Sequence, residues 1–260
     1  WGDKVNQRWG KGPLVFNPQN ARVYGEWLGR RYRDRGILWI NGGDRVPETD
    51  EQTEIFRQLA AGLRAGDGGR HLITYHPMGG KSSSGCYHAD AWLDFNMMQS
   101  GHSHHDRPNY QMVRHDLSLA PPKPTLDGEP CYEDHPVNWK SEHGWFDDWD
   151  VRKTAYWGVF AGACGTTYGC HDIWQFWTPA RQPISQARTD WHEAISLPGS
   201  TQVGYLKRLM LSRPYLDRVP DPSLLVSAHG DGPAHCEATR AADGSWAMVY
   251  TASGEPVEVA

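Results

Sequence analysis

Two stretches of this chain bring carboxylates to the point where an apolar run gives way to small and polar residues. The first ends in Asp44, within GILWINGGDR at 36–45, and the second carries Asp127 and Glu129, within KPTLDGE at 123–129. Residues 37–40 show no polar alternation and read as a strand buried on both faces, as in a parallel sheet covered by helices. The C-terminal ends of such strands converge on one concave space, because the connecting loops meet there. Asn41, Asp44 and Arg45 would leave the first strand at that face. Asp127 and Glu129 would share one side of the second strand, so either could reach the cleft. Two carboxyl groups on one face suit glycosidic bond hydrolysis, in which one protonates the leaving oxygen and the other attacks the anomeric carbon or activates water. Asp44 has a competing reading as a turn carboxylate, since Gly-Gly-Asp is ordinary turn chemistry.

His76, Gln99 and His102 follow other apolar runs. There they could hydrogen-bond a sugar hydroxyl or a catalytic carboxylate, or serve as satisfied buried groups. Tyr168 and Trp174 offer flat faces that suit the C–H patches of a sugar ring, with core packing as the alternative. The run HSHH at 102–105 lacks the i,i+4 spacing of a helical zinc pair, and the serines at 82–84 lack a G-x-S-x-G frame. Neither a metal, a serine nucleophile nor a cofactor is expected.

These residues need strands and helices in alternation to hold them. Helical periodicity covers 20–33, with Val23, Trp27 and Leu28 as the apolar face, and Glu26 and Arg30 form an i,i+4 pair. Thr49 and Gln52 open a second helix reaching about residue 64, whose inner face is Ile55, Phe56, Leu59 and Leu63. Further helices are expected over 109–119, 147–163 and 202–212, and further strands over 71–75, 92–98 and 166–168. Strand and helix thus alternate five times, the pattern of a parallel sheet. Beyond Pro222 the pattern changes to two short alternating runs around Asp243-Gly244, a hairpin signal.

A net charge of −5 with dispersed Lys and Arg excludes the basic stripe of a nucleic-acid binder. No window has the apolar length of a membrane span, so membrane insertion is not expected. Five Cys without a C-x-x-C pair suggest buried thiols rather than a disulfide framework. Thirteen Trp and eleven Tyr are many for a chain this hydrophilic, and some should line a surface or cleft. The start at Trp1, with no initiator Met, reads as processing or truncation.

YGEWLGRRYRDR, ILWINGGDR, YHPMGGKSSSG, WLDFNMMQSGH, PTLDGEPCYED and FAGACGTTYG, in this order between about 24 and 177, resemble glycoside hydrolase family 140, the apiosidase-like catalytic domain. The resemblance implies an α/β fold, a (β/α)8 TIM-type barrel of which this chain carries the C-terminal five βα units. Part of a small β-sandwich-like domain would follow, with boundaries at 1–219 and 220–260. It places the acid/base aspartate at Asp44 and the nucleophilic glutamate at Glu129, with Asn41, Arg45, His76, Gln99, His102, Asp127, Tyr168 and Trp174 left as substrate-binding candidates. The implied substrate is a plant pectic side chain bearing apiose, met in a secreted or periplasmic setting. The competing class is a non-catalytic carbohydrate-binding or adhesion module dominated by its β portion. With only five strands, the one at 37–40 should have an unpaired edge.

Overall fold

The computed structural model describes residues 13–226 and 230–260. The first twelve residues of the expected barrel domain therefore lie outside the described residues. Two compact units divide the chain: the first holds residues up to 99 together with 119–124, and the second holds 100–118 and everything from 125 onward.

In the first unit, α1 (Pro18–Tyr32) begins in a capping box between Asn17 and Asn20. It leads to β1 (Trp39–Gly42), then to α2 (Asp50–Asp67) and β2 (Ile73–His76). The Thr49 hydroxyl accepts the Gln52 N–H at the start of α2, and Gly68, at φ 72°, ends it in the left-handed conformation that glycine adopts without strain. β1 and β2 pair in parallel, Trp39 with Ile73 through Gly42 with His76, so the expected β-α-β crossover is present. A short β3 (Lys81–Ser82) and the helical turn α3 (Ser84–Tyr87) precede β4 (Asn96–Gln99), which pairs antiparallel with β3. Beside β2, the Asp94 N–H donates to the Ile73 carbonyl, and the Asp94 carboxylate accepts the Ile73 N–H and the Arg64 guanidinium.

Two sequence expectations are corrected here. The buried face of α1 is Ala21, Gly25 and Gly29, while Val23 and Trp27 point outward. The reason is the closeness of α2: a Cβ at Gly25 would lie 2.4 Å from the Leu59 carbonyl oxygen, and one at Gly62 would lie 2.2 Å from that of Arg22. Backbone meets backbone across this seam, leaving no room for large residues. Nor is the 37–40 run buried on both faces, since Leu38 is 46% and Ile40 is 48% exposed. Among the described residues β1 pairs with β2 alone, so the unpaired edge is present.

In the second unit, α4 (Asn109–Leu117) precedes β5 (Thr125–Asp127), and α5 (Asp148–Phe160) precedes β6 (Gly165–Thr166). β5 and β6 pair in parallel, Leu126 with Gly165 and Asp127 with Thr166. α5 starts in a capping box between Asp147 and Asp150 and is buried along most of its length. Even Lys153 is fully enclosed, its ammonium bonded to Asp106 (2.6 Å) and Asp150 (3.1 Å) and set 3.7 Å from the centre of the Trp149 ring. A buried charge persists only with such partners. Two short helices follow, α6 (His171–Trp174) and α7 (Trp191–Ala194), and then α8 (Pro198–Leu211), which packs on α5.

The expected hairpin is present as β8 (Cys236–Ala241) and β9 (Ala247–Thr251), joined by β7 (Arg218–Pro220) into a three-stranded antiparallel sheet. Tyr250 of β9 stacks on Tyr156 of α5 at 4.2 Å. Glu237 of β8, fully buried, accepts from Arg114 of α4 and contacts His235 (2.8 Å). No helix among the described residues is long and apolar enough to cross a membrane.

Candidate active site

The exit of β5 is the most elaborated polar region of the second unit. Asp127, the last residue of the strand, is wholly buried. Its carboxylate accepts from the Ser100 hydroxyl (2.8 Å), the Ser100 N–H (3.3 Å) and the Asn109 amide (3.0 Å). Burial pushes this carboxyl above its usual range, while those donors pull the other way. Asn109 reaches it because α5 has Gly158 at the crossing, where a Cβ would sit 2.9 Å from the Asn109 amide nitrogen. Asp127 is thereby anchored at the strand end. The expected sharing of a strand face does not arise, because the strand stops at Asp127 and Glu129 belongs to the loop beyond it.

Glu129 is held at both ends. Its carbonyl accepts the Gly101 N–H (3.0 Å), and its carboxylate, 17% exposed, lies 3.1 Å from Nε2 of the buried His102. The His102 tautomer follows from its other nitrogen. Nδ1 accepts the Tyr132 N–H (3.3 Å), so Nε2 carries the hydrogen and donates it to Glu129. A donor aimed at a carboxylate favours its ionised form and fixes its direction.

The His102 ring is clamped in turn. Tyr132 lies on one side with centroids 4.6 Å apart, His135 stacks at 4.4 Å and 22°, and Trp139 meets it edge-on at 5.7 Å. The His135 imidazole is pushed down to about 3, by burial first and then by the neighbouring His102 and His171. It stays uncharged at neutral pH, a flat spacer that donates from Nδ1 to the Pro136 carbonyl (2.7 Å).

Beyond this clamp, Glu133 is buried at the start of α8. It accepts the Tyr168 hydroxyl (2.5 Å) and the Gly199 N–H (3.1 Å), and burial raises its carboxyl. Asp134 bonds Arg188 (2.6 Å) and the Thr189 hydroxyl (2.5 Å), which hold it below its usual range against the opposing effect of burial. Its neighbour Asp172 is pushed up to about 6, mainly by burial and also by the Asp134 carboxylate, although two backbone N–H groups oppose the shift.

The first unit presents its candidates at the exit of β1. Asp44 takes a left-handed backbone at φ 53°, which Asp tolerates better than most residues, and its side chain is 54% exposed. Its N–H donates to His76 Nδ1 (3.2 Å), and its carboxylate lies 3.6 Å from the buried Arg45 guanidinium. Arg45 also donates to the Asp44 carbonyl (2.5 Å), and its own carbonyl accepts the Tyr75 hydroxyl (2.9 Å). Asn41 and Gln99 are both buried, with Asn41 Nδ2 and Gln99 Oε1 making no hydrogen bond among the described residues. Buried polar atoms of this kind ordinarily face water or a ligand.

Sequence reasoning named Asp44, Arg45 and His76 separately, and the structure gathers them at one strand exit. It likewise named His102 and Glu129 without pairing them. Tyr132, His135, Trp139 and His171 were missed because they lie in irregular loops with no periodicity to read. His104 and His105 form no cluster with His102: His105 binds Asp150 (2.9 Å), and among the described residues no group of three His, Cys, Asp or Glu side chains is arranged to hold a metal ion.

Residues 1–217 match the family model “Apiosidase-like, catalytic domain”, and residues 219–260 match “Putative collagen-binding domain of a collagenase”. A solved structure titled “Glycoside hydrolase” is similar at 37% identity and a TM-score of 0.87, over 94% of this chain and 57% of that one. A glycoside hydrolase family 5 structure from Bacteroides vulgatus ATCC 8482 is similar at 36% identity and a TM-score of 0.87, over 94% and 56%. The chain thus spans under three-fifths of the length of these solved structures. No curated protein matches it.

Proposed function

Because the chain belongs to the apiosidase-like catalytic-domain family, we propose that the whole protein is a retaining glycoside hydrolase in which Glu129 is the nucleophile and Asp44 the general acid and base. The observation that carries this reading is the hydrogen bond from His102 to Glu129. It holds a little-exposed carboxylate in one orientation at the exit of a parallel strand, as a nucleophile requires. A simple binding module has no need of that arrangement, which favours the enzyme over the adhesion reading.

In this mechanism Glu129 attacks the anomeric carbon while Asp44, protonated, donates to the departing oxygen. The glycosyl–enzyme ester is then opened by a water that Asp44 deprotonates. Arg45 and His76 position Asp44, and Asn41 and Gln99 hydrogen-bond substrate hydroxyls through their unsatisfied buried atoms. The five βα units correspond in this reading to the last five of an eight-stranded barrel. The substrate is an apiose-bearing side chain of a pectic polysaccharide, and the setting is extracellular or periplasmic, where such polymers are met.

Glu129→Gln in the full-length protein should lower kcat by on the order of 10⁴-fold or more while retaining sugar binding. Retained turnover in Glu129→Gln, with loss in Asp127→Asn, would assign the nucleophile to the wrong carboxylate. A crystal structure of the whole protein tests the stereochemistry. A carboxyl separation of roughly 5 to 5.5 Å fits retention, about 6.5 to 9.5 Å fits inversion, and neither role survives a larger gap.

A further inference from the structure

A groove of about 350 Å³ lies in the second unit, lined by Tyr132, Tyr168, Ile173, Trp174 and Ile195 among others. It is not the carboxylate site itself. Tyr132 belongs to both, since its N–H fixes the His102 tautomer while its ring forms part of the groove wall. The two regions also share an end of the sheet. Tyr132 follows from the C-terminal end of β5, and Tyr168 to Trp174 follow from that of β6, its parallel neighbour.

The aromatic walls are set in advance. The Tyr168 hydroxyl is committed to Glu133 at 2.5 Å. Trp174 donates its indole N–H to His171 Nδ1 (3.2 Å), and His171 in turn bonds the Ile184 and Ser185 carbonyls through Nε2. The Tyr132 ring packs close to Gly169, where a Cβ would come within 2.1 Å of the ring. Despite these restraints Trp174 is 50% and Ile195 is 63% exposed. Large apolar groups held rigidly in water at a concave site are suited to a ligand with a flat apolar face and a polar rim. With the Tyr168 hydroxyl and the indole N–H already engaged, these side chains would recognise the ring face rather than charge.

We propose that this groove is a second carbohydrate subsite, which stacks a sugar ring neighbouring the one whose glycosidic bond is attacked at Glu129. The inference rests on the hydrolase reading above. The ring bound here is recognised through its C–H face on Trp174 and Tyr132, and it adds binding energy remote from the reacting bond. A substrate of one sugar ring cannot use it.

The test uses the full-length protein with two probes, methyl apioside and an apiose-bearing pectic oligosaccharide. Trp174→Ala should reduce kcat/KM for the oligosaccharide roughly tenfold more than for methyl apioside, and Trp174→Phe should restore most of the difference. Calorimetric titration of the oligosaccharide into Glu129→Gln, with and without Trp174→Ala, should show the same factor in Kd without any turnover. Equal losses on the two probes, an unchanged Kd or no measurable binding of the oligosaccharide overturns the subsite. Failure of the hydrolase reading is separate: the parent protein would then turn over neither probe, and the calorimetric comparison would still report on the groove.

Discussion

The exits of β1 and β5 carry the two carboxylates proposed to act in catalysis, and they are built on opposite plans. Asp44 stands on a left-handed turn, more than half exposed, restrained through its backbone by His76 and Arg45. Glu129 is enclosed, takes a hydrogen bond on its carboxylate, and has behind its donor a stack of rings that leaves His102 one orientation. The contrast matches the chemistry proposed for each. A nucleophile must meet one carbon along one line, so its direction is fixed. An acid and base that serves first the leaving group and then water needs access to both.

The strongest test of this contrast changes the leaving group. Glu129→Gln should fail on every glycoside, whereas Asp44→Asn should retain most of its kcat/KM, which reports the first step, on glycosides whose leaving group departs without protonation. On poor leaving groups it should lose on the order of 10²- to 10⁴-fold. Equal losses across leaving groups would remove the acid role from Asp44.

A second test bears on the scaffold under the β1 exit. Gly66→Val would place side-chain carbon against the Glu26 carbonyl, where a Cβ alone comes within 2.2 Å. It should destabilise the first unit by about 3 kcal/mol or more in denaturant unfolding, because neither helix can retreat without opening the seam. An unchanged midpoint would mean the contact is far softer than its geometry.

Smaller in effect, His102→Ala should lower kcat by about 10²-fold with KM little changed, since Glu129 loses the donor that fixes its direction. His102→Gln, which can still donate, should recover part of that rate. If His102→Gln recovers nothing, His102 acts by packing alone.

The smallest effect concerns stability on the Glu129 side. Asp172 has a folded value raised from the usual 3.8 to about 6. Its contribution to stability is therefore complete below about pH 4 and is lost as pH rises through about 6. Asp172→Asn copies the protonated acid and can donate to Asp134, so it should remove that decline and raise Tm at neutral pH relative to the parent. A steeper decline in the variant would reverse the assigned sign.

Much of the scaffold was legible from sequence because it follows periodic rules. Ile55, Phe56, Leu59 and Leu63 face inward as their spacing requires, and Asp243-Gly244 turns the hairpin. The inner face of α1 was misread for a physical reason. Hydrophobic periodicity assumes that large apolar side chains make the contact, and here glycine makes it, turning Val23 and Trp27 outward. The exposed run at 37–40 shows the same limit, since apolar composition alone does not say how many neighbours a strand has. The site was legible as separate residues at strand exits. Its organising contact spans 27 positions, from His102 to Glu129, and the rings that clamp it come from loops whose shape no local pattern encodes.

The glycine seam between α1 and α2 also sets which sequences this fold can accept. Gly25, Gly29, Gly62 and Gly66 are places where the only workable side chain is a hydrogen atom, four residues apart on each helix. A saturation scan of α1 should therefore show intolerant columns at that spacing, separated by permissive ones.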